Sequence, residues 1–419
     1  MTDECGAFPL IFYYHRLNSF SFNALAGAVD AVPELAGQKI GLAFDEDEVS
    51  EFAADALRRN ERVVLAVSML TCQFEEMKRL FGRLRENFGS NITILAGGPH
   101  VTACPEEVLQ AGADIAFRGE AEAQFPVTIQ NVYGGRECGG IIAPHSPVDI
   151  DKYFSISPRR GMFGPIEISR GCAFACRFCQ TSRIFGVRLR HRSIDNIVRQ
   201  AESLRSVNRK VVRLLSPNAF SYGSMDGRDL NMKAIRDLLA ALRQTVTAVG
   251  KIIFAHFPSE ARPEHITPDT LDLLNEFADN DEIVIGAQSG SPRMLDICNR
   301  SHTVEDILRA VKLARRCGCK VIVDFMLGLP DETEEDMRES VRVMREVVRR
   351  GARIHFHTFA PLPQTAFAHK PPGIIAPFYL EAIEEFRAER GIYETAPRRG
   401  RKSGTAPSVR VRRYTGMAG

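Results

Sequence analysis

The chain has 419 residues, a formal charge of +2 and no tryptophan. Such a length holds two domains or one large one around a sizeable core, and the near-balanced charge gives no overall electrostatic reason to expect nucleic acid, which stays a minor alternative among substrates. No basic region followed by an apolar run opens the chain and no later run reaches membrane-span length, so a cytoplasmic protein with no membrane partner is expected.

In chain order, residues 39–44 (KIGLAF), 63–70 (VVLAVSML) and 92–98 (ITILAGG) read as short apolar strands. Between the second and third, Phe74, Met77, Leu80, Phe81 and Leu84 recur at helical spacing. Pro105 opens a further helix that Gly112 stops, and ADIAFRGEAE supplies a short strand and a polar loop. Residues 1–140 thus alternate strand and helix, the pattern of a Rossmann-like parallel sheet covered by helices. Residues 141–164, rich in proline, aspartate, serine and glycine, read as a linker or wrapped connection.

A second alternating series occupies 165–375, with candidate strands PIEIS, KVVRLL, KIIFAHF, EIVIGAQ, KVIVDFMLG and RIHFHTFA. Between the fourth and fifth lies a helix that Thr303 caps and Gly318 ends. Six strands with intervening helices make a partial (β/α)6 TIM-like barrel whose carboxyl-end loops carry the site. Residues 376–419 give a C-terminal helix and a basic tail (RRGRKSG, RVRRY), read as flexible and solvated, with a clamp for an anionic macromolecule as the sharper alternative.

Ten cysteines are too few for a disulfide scaffold in so long a chain, and Cys317 and Cys319 read as packing. Cys172, Cys176 and Cys179 stand apart, separated by three and then two residues in GCAFACRFCQ. A structural zinc normally takes four ligands and a redox dithiol two. Three thiolates converging from one loop suit an iron centre with one vacant position, or a zinc completed by a distant residue such as His191 or Cys138. His355 and His357 share one side of an extended strand, where packing or substrate hydrogen bonding is favoured over a second metal, since no nearby acidic pair completes a ligand set.

The strand, the Cys-x-x-x-Cys-x-x-Cys loop and Phe178 before its last cysteine resemble the radical S-adenosylmethionine (radical SAM) superfamily. The resemblance implies that Cys172, Cys176 and Cys179 hold a [4Fe-4S] cluster, that SAM binds its fourth iron, and that reductive cleavage of SAM yields a 5'-deoxyadenosyl radical, with electrons from an external donor such as ferredoxin or flavodoxin. It also implies SAM-binding roles at strand ends: Ser216 and Asn218 in LLSPNAFSYG, Ser259 and Glu260 in HFPSEARPE, Gln288 and Ser289 in IGAQSGS, and Phe325 or Met326 near the adenine. LLSPNAFSYG departs from the family's glycine-glycine-glutamate form. Glu260 has an alternative partner in Arg262 as a surface loop pair.

AVSMLT and LAGGPHVTACPEEVLQAGADIAFRGEAE are similar to the cobalamin-binding domain that precedes many radical SAM domains. The similarity places Ser68, Leu70, Thr71, Gly97, Gly98, Pro99, His100 and Glu120 around cobalamin. It also departs: no aspartate-x-histidine-x-x-glycine loop occurs, so cobalamin is expected to bind without that axial histidine, His100 being a minor alternative ligand and a vestigial domain the bland one. The expectation is a radical SAM enzyme that uses cobalamin to methylate an unactivated carbon. Radical rearrangement, cyclisation or methylthiolation beside a non-catalytic first domain, and a non-enzymatic iron-sulfur module, are the alternatives.

Overall fold

The structure, a computed structural model, describes residues 9–59, 62–246 and 250–393. The basic tail lies outside them.

Six strands form the first sheet: β1 Leu10–Tyr13, β2 Ile40–Ala43, β3 Val63–Ser68, β4 Ile92–Gly97, β5 Ile115–Phe117 and β6 Gly140–Ile142, in the order β2-β1-β3-β4-β5-β6. All neighbours run parallel. A parallel sheet is covered on both faces, and β3 is buried along its whole length. Two apolar clusters flank the sheet, one containing Val63, Leu65 and Val67, the other Val64 and Ala66. The helix Phe74–Phe88 buries Phe74, Met77, Leu80, Phe81 and Leu84, the face its periodicity predicts.

Strand β1 was not among the strands read from the sequence. A four-residue apolar run buried on both faces carries no alternation, so it does not separate strand from helix. Strand β6 crosses the boundary set at residue 140, its Ile142 pairing with Phe117. The order of strands reverses between β1 and β3, and Asn18 Nδ2 ties their carboxyl ends together by donating to Tyr13 O and Ser68 O, each at 3.0 Å. Ligands of open α/β sheets sit outside the carboxyl ends at such a reversal.

The barrel strands are β7 Ile166–Glu167, β10 Val211–Leu215, β11 Lys251–Ile253, β12 Glu282–Gln288, β13 Lys320–Leu327 and β14 Arg353–Thr358; β8 Ser169–Arg170 and β9 Arg190–His191 form a separate antiparallel pair. Parallel pairing runs β7-β10-β11 and β12-β13-β14, and an Ala261–Ile285 bridge joins the two halves into one six-strand arc. Val321, Val323, Phe325 and Leu327 of β13 pack against the outer helices. Alternation therefore turns Asp324 and Met326 inward. The helix Val304–Arg316 starts and stops as expected, with Thr303 accepting from Asp306 N and Gly318 at φ +83°.

The connection over 141–164 is wrapped. Ser157 and Arg160 both bond Asp30 of the first domain, the latter at 2.8 Å, while Ser155 N donates to Gln200 Oε1 of the barrel at 3.0 Å. The two domains are thereby docked with the carboxyl ends of their strands facing one cavity.

Candidate active site

Strand β8 delivers the chain into the cysteine loop through Gly171, at φ +93°, where a Cβ would stand 2.6 Å from Arg188 O. Only glycine fits so close a backbone crossing without strain. The loop is held by Cys172 N donating to Gly186 O at 3.1 Å and Cys179 N to Cys176 O at 3.0 Å. All three thiols are free. Burial pushes the Cys172 and Cys179 thiols up, so loading a metal there must release protons. Arg300 Nη1 donates to Cys176 Sγ at 3.2 Å; that guanidinium eases ionisation of Cys179, and Arg262 that of Cys172.

The spacing tests which metal centre fits. Among the described residues, the groups of three donor side chains with ligand atoms within 4.8 Å of one another are His100–Cys104–Glu107 and Asp324–His355–His357, and the three cysteines are not such a group. Tetrahedral zinc with bonds of about 2.3 Å would need its sulfurs roughly 3.8 Å apart. The loop is too open for one ion and suits a multi-iron object. The residues that would complete a zinc are engaged elsewhere: His191 Nδ1 lies 2.7 Å from Ser169 Oγ and its Nε2 3.3 Å from Ser224 O, while Cys138 packs into the first domain's core.

A cavity of about 760 Å³ lies between the domains. Phe178, Cys179, Ser216, Met326 and His357 line it from the barrel, and Ser68, Gly97, Gly98, Pro99 and Glu120 from the first domain. Ser68 and Gly97 are register partners at the ends of β3 and β4. Gly98 follows at φ +98°, where a Cβ would meet Met69 N at 2.7 Å, Met69 O at 2.8 Å and Ser68 Oγ at 2.9 Å. Gly98 is thus packed onto the Ser68–Met69 turn, while Gly97, whose Cβ would meet nothing closer than 3.9 Å, leaves bare backbone on the wall, a surface that a large flat ligand such as a corrin could approach closely.

Several expected residues do not reach the cavity wall. Leu70 and Thr71 are not on it. His100 is 4% exposed, with its ring centroid 4.5 Å from that of Phe74, so it is turned into the helix layer. Asn218 donates to Ser221 Oγ at 2.5 Å and meets His265 Nδ1 at 2.9 Å, and Ser259 Oγ donates to Leu214 O at 2.9 Å. Both brace the strand-end loops. Ser289 lies 3.3 Å from Ser340 on the outer helix, and Phe325 is fully buried in the core, which leaves Met326 as the apolar residue on the wall. These small polar side chains are engaged by neighbouring elements: Ser259 by the end of β10, Ser289 by the outer helix, and Asn218 by both Ser221 of its own turn and His265.

Glu260 does not pair with Arg262, which binds Glu264 at 2.5 Å and covers the Phe174 ring at 3.6 Å. Instead Gln288 Nε2 donates to Glu260 at 3.3 Å, and Glu260 hydrogen-bonds Asp324. Burial, then the Asp324 charge, pushes Glu260 well above the carboxylate range. Burial also opposes ionisation of Asp324, but hydrogen bonds from His355 and His357 outweigh it and hold that carboxyl below its ordinary value. The pair thus shares one proton, carried on Glu260. Asp324 and Arg300 escaped the sequence reading. Asp324 is two residues before Met326 and hence on the same face of β13, a signal that alternation offers, whereas nothing local marks Arg300 as a partner of Cys176.

Glu120 lines the cavity and is also engaged across the domain boundary. It accepts from Arg170 at 2.7 Å and from Arg190 at 2.9 Å, both on the barrel's β8–β9 pair, and its side chain is 4% exposed. It clamps the first domain to the strand that enters the cysteine loop.

Comparison with known proteins places the Radical SAM superfamily model on residues 166–344 and the B12 binding domain model on residues 25–128. An uncharacterized methyltransferase of Pyrococcus horikoshii is 24% identical over 295 residues, covering 63% of this chain and 60% of that protein. A probable threonylcarbamoyladenosine tRNA methylthiotransferase of Archaeoglobus fulgidus is 30% identical over 194 residues, 45% of this chain and 43% of its own length. The fold is shared with the radical SAM methyltransferase TsrM of Kitasatospora setae, solved with cobalamin and a [4Fe-4S] cluster, at a TM-score of 0.63 and 17% identity over 86% of this chain and 76% of that one. The cobalamin-dependent radical enzyme OxsB matches at a TM-score of 0.61 and 13% identity, over 92% of this chain and 56% of its own. No helix among the described residues is long and apolar enough to cross a membrane. The two family models fall on the two domains that close this cavity, so this chain carries a B12-binding domain followed by a radical SAM domain.

Proposed function

We propose that this enzyme transfers a methyl group to an unactivated carbon, using a [4Fe-4S] cluster, SAM and cobalamin around one substrate. The observation that carries the reading is the shared cavity: the cysteine loop and the Ser68–Gly98 rim open into the same volume. When bound, the cluster and SAM supply a 5'-deoxyadenosyl radical that removes hydrogen from carbon, and cobalamin supplies the methyl group. Cys172, Cys176 and Cys179 hold the cluster, with Arg300 offsetting thiolate charge at Cys176. Ser68, Gly97 and Gly98 cradle the corrin, Met326 and Phe178 keep water from the adenosyl end, and Ser216 lies on the barrel-side wall. Enclosure orients the acceptor and protects the radical. A ferredoxin- or flavodoxin-like donor provides the electron, as a soluble partner in the cytoplasm.

Methylthiolation is the second reading, favoured by the name of the Archaeoglobus fulgidus relative. Sulfur insertion calls for an auxiliary cluster. Cys72 of the first domain is exposed while Cys138 packs against that domain's core, so the first-domain cysteines form no compact triplet, which weighs against it.

The test is anaerobic expression with cobalamin supplied, followed by reaction with dithionite and SAM. Stoichiometric cobalamin, 5'-deoxyadenosine formation, and loss of both iron and product in Cys172→Ala, Cys176→Ala and Cys179→Ala are expected. A loaded cluster that forms no 5'-deoxyadenosine rejects the radical chemistry, and a protein that loads the cluster but no cobalamin rejects the methylation.

A further inference from the structure

We propose that Asp324, His355 and His357 form a mononuclear site for a first-row divalent transition metal on the inner face of the barrel, open to the interdomain cavity.

The register of two strands builds the site. Asp324 of β13 and His355 of β14 are direct partners, and His357 follows two residues on, beside Met326. Val323, Phe325 and Ile354 face the outer core, so alternation turns all three polar side chains to the lumen. The two oxygens of Asp324 each face a different imidazole: Oδ1 is 3.1 Å from His355 Nδ1 and Oδ2 is 3.4 Å from His357 Nε2. The imidazole centroids are 4.5 Å apart at 86°, so the rings converge edge to face and are not stacked. One donor atom from each residue lies within 4.8 Å of the others. An ion with bonds of about 2.1 Å, at angles between tetrahedral and octahedral, holds neighbouring ligand atoms roughly 3.0–3.5 Å apart. The two separations above fall in that window.

Charge points the same way. Asp324 is 0% exposed, and the ion pairs it makes among the described residues are with these two histidines, with no lysine or arginine. Glu260 adds a second carboxyl group through its hydrogen bond to Asp324. A buried carboxylate with no lysine or arginine paired to it favours a metal cation beside it. Two imidazoles and a carboxylate suit zinc, iron, cobalt or manganese, where an all-oxygen set would suit magnesium or calcium. The side chain of His357 is 44% exposed and lies on the cavity wall, so the open positions of the ion face the cavity. There they would take an oxygen or nitrogen donor of the acceptor substrate; that last statement rests on the proposed reaction, whereas binding of the metal does not.

The test uses the full chain with its cluster reconstituted anaerobically, and zinc(II) as the probe, because elemental analysis separates zinc from cluster iron and corrin cobalt. After exposure to zinc and desalting, stoichiometric zinc beside undiminished iron is expected, and the double variant His355→Ala/His357→Ala should lose at least about tenfold in zinc affinity while keeping its iron. Zinc that is not retained overturns the site and leaves two imidazole N–H groups donating to Asp324 as the whole account. Equal retention by the double variant overturns it too. Should that variant fail to fold, X-ray absorption of zinc in the unmodified chain decides: a shell of nitrogen and oxygen with imidazole scattering supports the site, and sulfur at about 2.3 Å overturns it. None of these readings depends on SAM cleavage or methyl transfer, so failure of the site and failure of the proposed reaction are distinguishable.

Discussion

At Glu332, on the loop after β13, both carboxylate oxygens are buried without a hydrogen-bond partner. Burial, and then the charge of Asp336, raise its pKa from 4.5 to about 7. The folded state keeps a proton there that the unfolded chain releases, so this contribution to stability is complete below about pH 4.5 and is lost as pH rises through 7. Glu332→Gln removes the titration. The variant is expected to gain on the order of 3 kcal/mol relative to the parent between about pH 5 and pH 8, read by chemical denaturation at both values. Parallel pH profiles for parent and variant would contradict the assignment. Residue-scale legibility in the sequence followed the same physics: the spacing of Cys172, Cys176 and Cys179 is local and was read directly, whereas the environments of Glu332, Asp324 and Arg300 depend on what folding packs against them.

At the scale of elements, the proposed corrin rim lies where β3 and β4 end, on the cavity wall. Gly98 has little freedom there, since a Cβ would press on Met69 N at 2.7 Å and Ser68 Oγ at 2.9 Å while φ stays at +98°. Gly98→Ala is expected to cost about 1–3 kcal/mol and to displace the Ser68 loop, lowering cobalamin retention severalfold while iron content stays at the parent level. Unchanged cobalamin loading would show that the rim is not the cradle. The helix Phe74–Phe88 was legible because its five buried apolar residues repeat at a period that a helix alone satisfies. The strand read from KIIFAHF is only Lys251–Ile253, because the backbone leaves extended geometry at Ala255, φ +51°.

For the whole molecule, the question is what keeps two domains registered across a cavity. Glu120 meets Arg170 and Arg190 in surroundings where each side chain is largely out of water, and Arg170 also pairs with Glu122 at 2.6 Å and Glu167 at 2.7 Å. Removing one partner of a buried network leaves the others uncompensated, a loss of about 3–5 kcal/mol. Glu120→Ala is therefore expected to loosen the docking: protease should cut within residues 141–164 faster than in the parent, and thermal unfolding should separate into two transitions. Parent-like resistance with one transition would show that the wrapped connection, anchored by Arg160 on Asp30 at 2.8 Å, suffices alone.

The sequence by itself determined the alternating strands and helices of both domains, the helix caps, and the three-cysteine loop, because each is written in neighbours a few residues apart. Only the tertiary structure decided which strand-end residues face the cavity and which are engaged by neighbouring strands and helices. It alone brought Arg300 to Cys176 across 124 residues, Asp324 between His355 and His357, and Glu120 onto Arg170 across the domain boundary. Those pairings are set by strand register and domain docking, which depend on the packing of the whole chain and leave no local pattern to read.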